Sequence, residues 1–223
     1  IFQGGSIDGT VTRLDPSRVG LQQLVYATLL GGSGDDLPED VTIGFSGELV
    51  VVGYSDSPNL PTSANCWDPT VSSGGSAFVT QLDPTLTGAQ QLAFGTYLGG
   101  TASDDARAVE VDVLGRITVV GYAESTNFPT TPGAFQNVHA SPIQADAFVA
   151  QLDPSQSGAQ QLAYSSLFGG VADDWFDAVA IDALGAANFT LSCSNAEPNA
   201  LAALVIGFQG LAVPTPVLGV DVW

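Results

Sequence analysis

A chain of 223 residues with 4 Lys+Arg against 23 Asp+Glu carries a formal net charge of −19. That charge argues against a nucleic-acid backbone or an anionic membrane surface as partner, because both would repel it. Hydrophobic residues make up 45% and charged residues 12%, a balance that folds, and no apolar run reaches the ~18–20 residues of a membrane span.

The chain opens on Ile1-Phe2-Gln3, which is expected of a processed protein or of a piece of a longer one. Residues 1–20 hold one strand, from Asp8 to the Asp15-Pro16 turn, where proline ends the ladder. Leu24–Leu30 is the next strand, rich in branched and aromatic residues, and it runs into Gly31-Gly32. An acidic turn follows at Asp35-Asp36. A strand of alternating character comes next, clearest further on at Val109–Val113 and Val179–Asp182. A glycine turn at Gly47 leads to Glu48–Tyr54, whose continuous apolar run is that of a strand covered on both faces. A long Pro/Ser/Thr/Asn loop, about Ser55–Ser76, precedes the strand Ala77–Leu82 and a second Asp-Pro, Asp83-Pro84. No helical apolar stripe is present.

This series then repeats. Leu24–Gly32 recurs as Leu92–Gly100 and Leu162–Gly170, at offsets of 68 and 70 residues. The Leu-Asp-Pro marker recurs at Leu14, Leu82 and Leu152, and the turn glycine at Gly47, Gly115 and Gly185. Four short antiparallel strands per repeat predict an all-β fold of β-propeller blades, rather than the shorter coils of a β-solenoid. The expected organisation is about three blades plus one extra N-terminal strand. Residues 1–20 are the fourth strand of an incomplete blade, 21–88, 89–158 and 159–210 are blades, the last with a shortened loop, and 211–223 form a tail. One strand and three blades fall short of a ring of ~4–8 blades. Upstream blades or another chain are therefore expected to complete it, and two copies would supply about six.

The repeat resembles the bacterial beta-propeller repeat family (SBBP) of secreted and cell-surface proteins. The middle copy carries the likeness best: Tyr97-Leu98-Gly99-Gly100, Val120-Gly121-Tyr122, Phe128 through Gln136 (Phe-Pro-Thr-Thr-Pro-Gly-Ala-Phe-Gln), and Asp146 through Pro154. The resemblance implies a propeller in an extracellular or envelope setting and brings no catalytic residues. The chain departs from it at Leu60, where the middle copy has Phe128, at Gly44, where Asp112 and Asp182 stand in the other copies, and in the last copy, which lacks the Phe-Pro-Thr-Thr-Pro segment.

Three sets of residues are candidates for chemistry. The acidic turns, Asp35/Asp36, Asp104/Asp105 and Asp173/Asp174, offer clustered hard oxygens of the kind calcium takes at ~2.3–2.6 Å; the competing reading is that they accept backbone N–H bonds in a tight turn. The long loops gather at one end of the fold, and Trp67, Phe128 and Phe135 on them are candidates to stack on a sugar or anchor a partner, against the reading that they pin each loop to its own blade. His139, the only histidine, lies in a Pro/Ser-containing loop and is expected in solvent, so a nucleophilic triad has a single candidate base. Cys66 and Cys193 permit one disulfide without defining a framework. The function expected is a non-catalytic structural, adhesion or assembly module whose partners are other protein chains or copies of itself. A carbohydrate-binding module on the long-loop face is the alternative, and a polysaccharide-acting enzyme comes third.

Overall fold

The computed structural model describes residues 4–181 and, as backbone only, two further strands at 187–192 and 203–208. Its strands are β1 Gly9–Leu14, β2 Leu24–Leu30, β3 Asp36–Ile43, β4 Leu49–Ser55, β5 Ser76–Leu82, β6 Leu92–Leu98, β7 Asp104–Val111, β8 Ile117–Ala123, β9 Asp146–Leu152, β10 Leu162–Phe168, β11 Ala178–Ile181, β12 Ala187–Ser192 and β13 Ala203–Phe208. Every named pair is antiparallel. Helical structure among the described residues is confined to three single 3₁₀ turns, Gly20–Gln23, Gly88–Gln91 and Gly158–Gln161.

The strands form a two-stranded sheet β1-β2, two four-stranded sheets, β3-β4-β5-β6 and β7-β8-β9-β10, and a three-stranded sheet β11-β12-β13. Sheet boundaries therefore fall one strand later than the repeat boundaries drawn at 21, 89 and 159. The Leu24–Leu30 type of strand closes the sheet before it instead of opening the next. Among the described residues the sheets are one of two strands, two of four and one of three. The reason is local. Asp83 N–H donates to Gln91 O at 2.7 Å and Asp153 N–H to Gln161 O at 2.7 Å, so the segment after each Asp-Pro is a tight hairpin to the next strand. The Gly-Gly link is the one that steps across to a new sheet. Residues 182–186, the loop 194–201, Cys193 and the tail 211–223 lie outside the described residues.

The sheets stack face to face. One face of β3–β6 contributes Val50, Val52, Ala77, Val79, Phe94 and Leu98 to a core shared with Val109, Ile117, Val119, Phe148 and Leu152 of the next sheet. Its other face places Val51, Phe78 and Tyr97 against Val11 and Leu30 of the half sheet. The far face of β7–β10 meets β11 through Val120, Val149, Phe168, Phe176 and Val179. This double coverage is why Leu49–Val52 and Ile117–Val120 are buried without alternation. The first strands of successive sheets lie beside one another, β3 by β7 and β7 by β11.

The hairpins at the two ends differ. At one end Gly115, at φ 79, closes the β7–β8 turn, a backbone state that costs glycine little. Asp112 braces that turn by accepting from Leu114 N–H (2.8 Å) and Arg116 N–H (2.9 Å) and pairing with Arg116 Nε at 2.8 Å. Gly44 replaces it in the preceding repeat, where the turn closes on backbone bonds alone, Gly44 N–H to Glu48 O at 2.9 Å. At the other end lie the Gly-Gly links and both long loops, 56–75 and 124–145.

Candidate functional site: the acidic turns and the long-loop end

The alignment of the copies pairs Asp36 with Asp104 and Asp174, each the fourth residue after the second glycine of Gly-Gly. Asp36 and Asp104 begin strands β3 and β7, so they are not turn residues, and both are fully buried. The Asp36 carboxylate accepts Gly32 N–H (2.6 Å), Ser55 Oγ–H (2.5 Å) and Ser57 Oγ–H (2.6 Å). Asp104 accepts Gly100 N–H (2.7 Å), Ser125 N–H (3.2 Å) and Ser125 Oγ–H (2.7 Å). Asp174 accepts Gly170 N–H at 2.7 Å. One carboxylate thus joins the Gly-Gly link to the end of the third strand of the repeat. Desolvation outweighs these donors at Asp104 and pushes its pKa up to about 6.

The other members of the acidic pairs are not equivalent to one another. Asp35 accepts from Ser6 and Ile7 N–H, and Asp173 from Ala145 N–H at 2.8 Å, so each latches the segment just before an earlier strand, β1 or β9, to the acidic turn. Asp105 falls one place later, on β7. It pairs with Arg107 at 3.2 Å, and the guanidinium in turn lies 5.2 Å over the Tyr122 ring. Burial, only partly offset by Arg107, raises Asp105 to about 6. Among the described residues no three Cys, His, Asp or Glu side chains converge as a metal-holding group. The carboxylate oxygens of Asp36 and Asp104 face N–H and O–H donors, which a cation would have to displace.

Ser57, Ser125, Asn59 and Asn127 complete this network and were missed in the sequence. Asn59 Oδ1 accepts Ser33 N–H at 2.7 Å, and Asn127 Oδ1 accepts Thr101 N–H at 3.0 Å. The signal was present, because Ser-x-Asn recurs at the offset of 68. It reads as loop composition until the loop is seen folded over the turn.

The aromatic candidates separate. Phe128 is 5% exposed, with its ring 4.5 Å from that of Phe148, and Leu60 fills the matching place in the preceding sheet. Trp67 is half-buried against the central core. Both pin their loops. Phe135, the repeat counterpart of Trp67, is 63% exposed and stacks on Phe168 at 5.1 Å and 12°. The loops themselves run back along the outer strand of each sheet. Ser63 N–H donates to Gly95 O (2.9 Å) and Tyr97 N–H to Asp68 O (3.0 Å); Thr131 N–H donates to Ser165 O and Leu167 N–H to Gln136 O, both at 3.0 Å. The Phe-Pro-Thr-Thr-Pro segment therefore covers a sheet edge that would otherwise present unpaired backbone groups.

His139 is not in solvent; it is 8% exposed, because its ring fills the space between the loop and the end of β8. Nε2 lies 2.8 Å from Ala123 O and Nδ1 against Ser141 O, with Asp146 Oδ1 at 3.9 Å. With both nitrogens facing backbone carbonyls, the ring ties the loop to the end of β8. Asp146 also accepts Gln136 Nε2–H (2.7 Å) and Ala140 N–H (2.8 Å), and its burial raises its pKa while His139 lowers it. Cys66 is a buried free thiol. No helix among the described residues is long and apolar enough to cross a membrane. No family model matches the chain, and no curated protein matches it.

Proposed function

We propose that this chain is a segment of a β-propeller of the SBBP repeat type, acting outside the cell or at its envelope as a non-catalytic structural, adhesion or assembly module through protein–protein contacts. The observation that carries this reading is the fate of the polar groups. The repeated aspartates, the loop serines and asparagines and the lone histidine all bond within the fold, joining strand, turn and loop. Stacked sheets whose first strands lie side by side agree with successive blades around an axis.

One observation favours a second reading. Phe135 presents an exposed ring at the long-loop end, already stacked on Phe168, as a sugar-binding platform would. A glycan array probed with the wild-type chain and with Phe135→Ala separates the two. The assembly reading expects no glycan signal that depends on Phe135. Glycan binding lost in Phe135→Ala would overturn it in favour of a carbohydrate-binding module.

A further inference from the structure

His139 is the one histidine of the chain, and the fold buries both its ring and the Asp146 carboxylate beside it. The ring stands between two backbone carbonyls. Nε2 lies 2.8 Å from Ala123 O at the end of β8, and Nδ1 lies against Ser141 O within the loop 124–145. A neutral imidazole has one N–H, so it donates to one of these oxygens and turns a lone pair on the other. The imidazolium donates to both. The neighbouring carboxylate calls for the same charge. Asp146 Oδ2 accepts from Gln136 Nε2–H and Ala140 N–H, whereas Oδ1, 3.9 Å from Nδ1, is buried and accepts no hydrogen bond among the described residues. A cationic ring compensates that oxygen; a neutral ring leaves a buried charge unpaired.

The preceding sheet shows that such a loop folds without this arrangement. There Ser72 N–H donates to Ser76 Oγ at 3.1 Å, as Ala140 N–H donates to Asp146 Oδ2 at 2.8 Å. That match puts Val71, packed on apolar side chains, in the place of His139, and Ser76 in the place of Asp146. Both loops cover an outer edge in the same way, with Tyr97 N–H donating to Asp68 O and Leu167 N–H to Gln136 O, both at 3.0 Å. One copy holds its loop with groups that do not titrate. The other uses a histidine and a carboxylate.

We propose, independently of the assembly reading above, that His139 is a pH-operated latch: as imidazolium it fastens the loop 124–145 to β8 and β9, and on losing its proton it lets the loop lift from the edge of β10. The latch is closed at low pH and opens as pH rises through the interval in which imidazole titrates, about pH 5–8. The charged groups around the ring agree with that sign. Asp146 faces it; burial raises the Asp146 pKa and the ring lowers it. Asp174 of the acidic turn acts on Asp146, and Asp173 binds Ala145 N–H. Glu124, next to Ala123, is exposed. All four are negative when ionised, the sign that attracts an imidazolium. Protonation of Asp146 on the acid side leaves both carbonyl bonds of the ring in place.

The test follows the whole chain by NMR from about pH 5 to about pH 8. One histidine gives one imidazole signal, so its titration is read directly, and amide exchange corrected for its intrinsic pH dependence is read on the same sample. Protection of the Gln136, Ala140 and Leu167 N–H groups is expected to fall at least ~10-fold, with the midpoint of the imidazole signal. The Asp68, Ser72 and Tyr97 N–H groups of the counterpart loop are expected to hold. His139→Val combined with Asp146→Ser reproduces the Val71 and Ser76 pair, and is expected to keep the loop closed across the range and to abolish its pH dependence. Protection that stays constant in the wild type overturns the inference. So does an equal fall in both loops, which would be a change in global stability, and so does a pH dependence that survives the double substitution.

Discussion

Asp104 sits where a carboxylate is both needed and ill at ease. Three donors converge on it and no water reaches it. Replacement by Asn keeps the shape but puts an N–H₂ where acceptors are required, leaving donors unpaired at about 1–3 kcal/mol each. The raised values of Asp104 and Asp105, about 6 against 3.8, also set a pH dependence. The folded chain holds these protons more tightly than the unfolded chain, so their contribution is fully present below pH 3.8 and lost as pH rises through about 6. Asp15 and Asp83, held down by the hydroxyls of Ser17 and Thr85, act on the acid side of 3.8 and leave this window alone. The urea midpoint is therefore expected to be higher at pH 5 than at pH 7, and Asp104→Asn to lower stability at both pH values while shrinking the difference between them. A midpoint that falls from pH 7 to pH 5 contradicts the assignment.

The long loop works as an element in its own right. It leaves the third strand through the Ser-x-Asn brace, drops a large side chain into the sheet beneath, and returns along the edge of the outer strand. Phe128→Ala removes the anchor from a site 5% exposed and is expected to cost about 3–5 kcal/mol. Phe135→Ala, at a ring 63% exposed, is expected to cost less than about 1.5 kcal/mol, the worth of the stack alone. Urea unfolding of the pair checks this, and similar losses at both positions would mean that the loop is held by its exposed half. At this scale the sequence was legible where a pattern is local. Strand positions followed from apolar runs and Asp-Pro stops, and the glycine turns from their spacing. Which strand closes a sheet was not legible, because a repeat has a period but no marked beginning. Gly121 shows the same limit. It reads as a strand glycine, but a Cβ there would lie 2.0 Å from Asp105 O, across the bulge that shifts the register between Ala106 and Ala108.

For the whole molecule the dominant long-range term is the net charge of −19, with 4 basic residues to offset it. Self-repulsion opposes the compact state, and salt screens it over a Debye length of ~10 Å at 0.1 M. Raising NaCl from about 20 mM to about 200 mM is expected to raise the thermal midpoint, and an unchanged or lower midpoint would show that local pairs such as Arg107–Asp105 outweigh the overall field. Amino-acid order by itself determined the all-β class, the three copies, the four-strand unit and the gathering of both long loops at one end. These follow from nearest-neighbour patterning and from the alternation of ends that antiparallel strands enforce. Tertiary structure alone decided what the polar residues do. The paired aspartates look alike in the chain. In the fold one member is a buried joint between link and strand, while its neighbour is a latch in one copy and an ion-pair partner in another. A lone loop histidine became a buried tie. The difference is burial: a side chain's chemistry is set by the donors and acceptors that surround it once water is gone, and the deciding ones come from far along the chain, Ser57 for Asp36, Ser125 for Asp104 and Ala123 for His139.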